Sequence, residues 1–245
     1  MIVALAGPVR SVLLASPLPM ISTIAGAGWA ARRPPSVRVR SAIQHFAAGL
    51  VFAVAATELI PDLTRSHDAI AVIPGFAVGI AVMLGLEVTG SRAERSGRAN
   101  AALITLAVVA IDVFVDGILI GIGFAEGGSA GGLLAIALTV ELLGLGVALA
   151  ISLGESGRTV RATLATTAGV ASLLLVGGLL GAKLFAHLSE GLLSAVLAFA
   201  TVALLYLVTE ELLSEAHETP DTPLLTSTFF IGFLAILLLS FAAGS

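Results

Sequence analysis

The chain contains no cysteine, which excludes disulfide scaffolds, zinc knuckles and thiol nucleophiles. Charge is also scarce. Asp, Glu, Lys and Arg together make up 11% of 245 residues, less than half of the roughly 25% usual in soluble domains. Long polar stretches are missing as well, so no connection can fold independently. These shortages leave no room for a soluble domain. Nucleic-acid readers, soluble nucleotide-binding folds and secreted scaffolds are excluded with it, and nucleic acid is not an expected partner.

What the chain has instead is apolar residues (58%) and 27 glycines. One membrane-spanning helix takes about 20 mostly apolar residues. Apolar runs bounded by charge, Pro or Gly clusters predict helices near 11–31, 40–63, 69–89, 100–124, 128–153, 162–186, 190–215 and 223–243. The first run lacks a basic start, and Trp29 followed by Arg32 and Arg33 reads as a helix end at a basic membrane face. It is taken as a retained span rather than a signal peptide. The expected fold is therefore all-α, a single polytopic membrane domain of eight transmembrane helices over 1–245 in a lipid bilayer.

Basic residues set the expected orientation. Arg32, Arg33, Arg38, Arg40, Arg92, Arg95, Arg98, Arg158 and Arg161 fall on one side, nine of the twelve. Arg10, Arg65 and Lys183 fall on the other. Cytoplasmic loops hold the basic excess. The expectation is an integral protein of a prokaryotic cytoplasmic membrane with both termini outside and the loop SRAERSGRAN inside.

The sequence also repeats itself. Phe46–Asp62 (FAAGLVFAVAATELIPD) lies without a gap on Phe199–Glu215 (FATVALLYLVTEELLSE), which puts Glu58 on Glu211 and Asp62 on Glu215. The second predicted helix runs outward and the seventh inward. An inverted repeat of helices 1–3 and 6–8 around a central pair 4–5 gives that relation, an arrangement common in transporters.

Three acids sit deep in the apolar runs. Asp112 and Asp116 lie one turn apart on one face of the fourth helix, and Glu141 lies mid-way along the fifth. Each ionised side chain at a helix centre costs about 2.5–3.5 kcal/mol even on the lenient insertion scale. No Lys or Arg lies at that depth to offset it. The acids can hydrogen-bond to one another while protonated, relay protons, or bind a cation. Cation binding is the reading adopted, because three carboxylates supply the oxygen ligands of a divalent metal. Gly117, Gly121, Gly144 and Gly146 allow the close helix approach that such a site needs. Glu58 and Asp62 then form an outer mouth, and Glu211, Glu215 and His217 an inner exit that His45 extends.

These residues resemble the ZIP family of divalent-metal transporters. HFAAGLVFAVAATELIPD is similar to the family's second helix, with Glu58, Pro61 and Asp62 at its end. LYLVTEELLSEA is similar to the seventh, with Ser214 where the family has Pro. The fourth-helix motif HNxPEG matches Asp112, Val113, Val115, Asp116 and Gly117, and the fifth-helix motif matches Glu141, Leu145 and Gly146. The resemblance implies transport of zinc, iron(II) or manganese as substrate, no organic cofactor and no enzymatic activity. It also implies a homodimer in which helices 1, 4, 5 and 6 move against 2, 3, 7 and 8.

The departures are informative. Asp112 replaces a His, Val113 an Asn and Leu145 an acid. Leu174 and Leu175 stand where bacterial members often have a Glu. One carboxylate-rich site is expected in place of the family's two-metal centre, harder than a His-containing site and so more favourable to manganese, iron(II) or magnesium, although carboxylates also bind zinc. Two alternatives remain open: a ZIP-like protein that has lost transport and serves as a sensor or assembly partner, and a proton-handling protein. An intramembrane prenyltransferase shares the DxxxD spacing, but its second Asp-rich motif and the basic residues for a diphosphate are absent.

Overall fold

The computed structural model describes residues 2–65, 68–96, 101–126, 129–185, 188–220 and 222–243. Among these residues all regular structure is helical. Eight helices are long and apolar enough to cross a membrane: α1 (Gly7–Arg32), α2 (Val37–Arg65), α3 (Ala69–Arg92), α4 (Leu103–Glu126), α5 (Ser129–Glu155), α6 (Val160–Leu184), α7 (Glu190–Ala216) and α8 (Pro223–Ala243). The fold is an all-α polytopic membrane protein, as the sequence predicts.

Two boundaries differ from expectation. The first span starts earlier and breaks at Ser16, where Pro17 opens a fresh helical segment without a backbone N–H to donate. The third helix continues past Arg92 to Ser96, so the first part of SRAERSGRAN is helix rather than loop. Arg and Glu are good helix formers, and charge ends a membrane span without ending a helix. Residues 97–100 of that loop, with Arg98, lie outside the described residues.

The turns follow local chemistry. Pro34 and Pro35 interrupt the chain, and the Ser36 hydroxyl accepts from the Val39 amide to start α2. The Asp68 carboxylate accepts from the Ala71 amide to start α3. Gly157, at φ 76°, closes the end of α5, with the Arg158 amide donating to the Leu153 carbonyl.

The helices associate chiefly as four pairs, α4 with α6, α1 with α5, α2 with α8 and α3 with α7. Exchanging α1 with α6, α2 with α7, α3 with α8 and α4 with α5 maps these pairs onto one another. That is the relation expected of the inverted repeat. Each pair closes through small residues. A Cβ at Gly117 would collide with the Leu174 carbonyl of α6, at Gly26 with the Leu143 carbonyl of α5, and at Gly49 with the Phe229 carbonyl of α8. Lipid tails are as apolar as leucine, so close backbone approach is what holds such helices together. In α5 and α7, 56% of the most apolar stretch is buried, against 17% in α3 and α8. Glu141 therefore sits on one of the two most buried helices, while Asp112 and Asp116 sit on α4, whose most apolar stretch is 33% buried.

A second signature of the repeat lies in the backbone. Both α2 and α7 open into π-helix, over Ala55–Leu59 and Leu207–Leu212. The ungapped alignment lays the first onto the last five residues of the second. Each π turn carries one of the aligned glutamates, Glu58 or Glu211.

Candidate cation site between α4 and α5

Helical spacing puts Asp112 and Asp116 on one face of α4, and the α4–α5 contact brings Glu141 against them. One carboxylate oxygen from each lies within 4.8 Å of the other two. A cation bound at about 2.0–2.6 Å to each oxygen spans about 4–5 Å between opposite ligands, so the cluster has single-ion dimensions. Asp112, Asp116 and Glu141 are 9%, 3% and 4% exposed. Asp116 Oδ2 and Glu141 Oε2 are buried without a hydrogen-bond partner. Among the described residues no Lys or Arg pairs with any of the three. A buried charge without partner or counterion is strongly unfavourable, and a divalent cation among these oxygens removes the imbalance. The chemistry of the donor set fits such an ion: oxygen only, and anionic.

The positions expected to have lost ligands surround this cluster. Val113 is fully buried, Leu174 presents its carbonyl to Gly117, and Leu145 lines a small cavity beside Glu141. Of the four glycines singled out from sequence, Gly117, Gly121 and Gly146 sit at points of backbone contact, whereas Gly144 meets only the Ile43 side chain, at 3.8 Å.

Glu58 and Asp62 open on a cavity of about 580 Å³ that also carries Asp68, Glu126 and Glu190. Arg65 pairs with Asp62 at 2.6 Å. The Ser240 hydroxyl of α8 donates to Glu58 Oε1 at 2.7 Å. This end of the bundle is here called the acidic mouth.

The opposite, arginine-bearing end is called the basic face, and it is closed. Only about 40 Å³ remains beside Glu141, Glu211 and Glu215. The Ser41 hydroxyl donates across to the Ala216 carbonyl at 2.9 Å, the Gln44 amide donates to Glu215, and the His45 and His217 rings meet edge to face with centroids 5.3 Å apart. The expected exit residues therefore divide. Glu215 and His217 sit in this closure, whereas Glu211 faces the central acids, within Coulombic reach of Asp112, Asp116 and Glu141.

Sequence reasoning missed Gln44, Glu126 and the inward position of Glu211. Counting gives the depth of the last, since Glu211 lies five residues before the end of α7, about 7.5 Å inside it at 1.5 Å per residue, but not the direction in which it faces. A scan of protein-family models and a search of curated proteins find no match to the chain.

Proposed function

We propose that the chain carries divalent metal cations across the membrane, with Asp112, Asp116 and Glu141 as the transient ligands. The observation that carries this reading is the buried triad of carboxylates with two orphan oxygens and, among the described residues, no basic partner. A purely structural cluster has no reason to leave those oxygens unsatisfied. The resemblance to ZIP transporters points the same way and suggests a homodimer.

In this reading the acidic mouth faces outside, since the arginine-rich face belongs in the cytoplasm. The cation is concentrated by Glu58, Asp62 and Glu126, held by the triad, and passed by Glu211 to Glu215 when the closure at the basic face opens. An all-oxygen site ranks manganese and iron(II) relatively higher than a His-containing site does.

Uptake into proteoliposomes tests the reading. Asp116→Asn and Glu141→Gln keep shape and remove charge, so each should abolish saturable uptake and binding of manganese and zinc while leaving the fold intact. Their thermal stability should equal or exceed the wild type, because a neutral amide costs less to bury than an uncompensated charge. Wild-type uptake in both variants would refute the proposal. Asp112→His should shift competition between zinc and manganese towards zinc, as imidazole favours zinc relatively more. An unchanged ratio would remove Asp112 from the ligand set.

A further inference from the structure

A groove of about 270 Å³ runs along the outer surface between α3 and α7, away from the cation path. Its walls are apolar, with Phe76, Ile80 and Leu84 from α3 and Leu205 from α7. Its end towards the basic face is polar. There Tyr206 and Glu210 line it, and the Tyr206 hydroxyl donates to Glu87 Oε2 at 2.6 Å. Glu87 and Glu210 are both exposed. Among the described residues neither forms an ion pair with Lys or Arg.

Depth identifies the kind of occupant. From Phe76 to Glu87 is eleven residues, or about 16 Å at 1.5 Å per residue. That is about half of the roughly 30 Å hydrocarbon core, a length that a single acyl chain covers. Glu87 lies five residues, about 7.5 Å, before Arg92 at the end of its span, and Glu210 six residues, about 9 Å, before Ala216 at the end of its own, on the half of the span nearer the basic face. The molecule that matches an apolar channel as long as one acyl chain, with two exposed carboxylates at its end towards the basic face, is an amphiphile with a cationic headgroup.

Charge argues against an anionic lipid, which would bring its headgroup against two carboxylates.

We propose that this groove binds a phospholipid with a primary ammonium headgroup, its acyl chain along Phe76, Ile80 and Leu84 and its ammonium on Glu87 and Glu210. The ammonium offers three N–H donors to the two carboxylates and the Tyr206 oxygen, and charge-assisted bonds of this type are the strong ones. The groove shares no lining residue with the cavity beside the central acids.

The test uses the full chain, reconstituted in vesicles of equal phosphatidylethanolamine and phosphatidylglycerol with identical acyl chains. It is then extracted in mild detergent and examined by native mass spectrometry. Retained phosphatidylethanolamine should exceed phosphatidylglycerol by about tenfold over the bulk ratio, equivalent to ~1.4 kcal/mol. Glu87→Gln with Glu210→Gln should return the ratio to bulk, and Leu84→Trp, which fills the groove, should lower total retained lipid. A bulk ratio in the wild type, or enrichment that survives the double substitution, overturns the proposal. So does efficient disulfide formation between copies through Ile80→Cys in the same vesicles, which would make the groove a contact between two copies of the chain.

Discussion

At the acidic mouth the end of α2 faces a cavity of about 580 Å³, whereas at the basic face the matching end of α7 leaves only about 40 Å³. The two ends share an ungapped alignment, a π turn and a glutamate within it. What differs is the helix start that lies opposite. Carried back along α2 and α7, the same alignment sets Ser41, Gln44 and His45 against Ser194, Leu197 and Ala198. Ser41 reaches across to Ala216 and Gln44 to Glu215. Ser194 instead donates to Glu190 of its own helix at 3.1 Å, and Leu197 and Ala198 have nothing to donate. A repeat that duplicates the acid-bearing segment but varies its opposing partner yields one mouth that latches and one that stays open.

The sharpest way to break this contrast is to remove the latch. Gln44→Leu with Ser41→Ala deletes the two hydrogen bonds that cross the closure, one of them to a carboxylate, worth together about 2 kcal/mol or more. The basic end should open roughly thirtyfold more often. The chain has no cysteine of its own, so the rate at which Ala148→Cys, in the small inner cavity, is labelled from the basic side reads this directly. An unaltered rate would mean that packing, not hydrogen bonding, closes that end.

A smaller effect is expected from transplanting the latch. Leu197→Gln with Ala198→His gives α7 the donors of α2, and one new hydrogen bond of about 0.5–1.5 kcal/mol should slow manganese uptake about two- to tenfold. Uptake at the wild-type rate would show that the two ends differ in more than these positions.

Smallest is the effect of charge at the open mouth. Glu58→Gln with Asp62→Asn should lower the uptake rate about two- to fivefold at low salt and leave it unchanged near 1 M, where the screening length is about 3 Å. A difference that persists at high salt would make these acids ligands rather than attractors.

Much of this plan is legible in the sequence because the bilayer is a strict solvent. Each unsatisfied backbone group costs several kcal/mol there, so apolar runs mark all eight helices, and a misplaced acid is conspicuous. The i and i+4 spacing of Asp112 and Asp116 and the central position of Glu141 place the triad without coordinates. Lateral facts were harder to read. That Glu211 turns inward, that Gln44 meets Glu215 and that Glu126 joins Glu58 depend on which helices are neighbours, and hydropathy is blind to pairing. The continuation of α3 to Ser96 was hidden for the opposite reason, since charge there signals water and says nothing about helix.

The π turns have a consequence for length. A π turn accommodates one residue beyond what an α-helix of the same rise would need, while the helix on either side keeps its register. α2 and α7 each contain, within Ala55–Leu59 and Leu207–Leu212, a place where the chain is one residue too long for the membrane it crosses. These are the points along the two helices where shortening by one residue leaves both flanks aligned with their neighbours. Thr57 and Thr209 stand there, each with its hydroxyl donating to the carbonyl four residues back, at 2.9 and 3.0 Å. Deleting either should leave a folded bundle whose nearby glutamate, Glu58 or Glu211, has lost its aim.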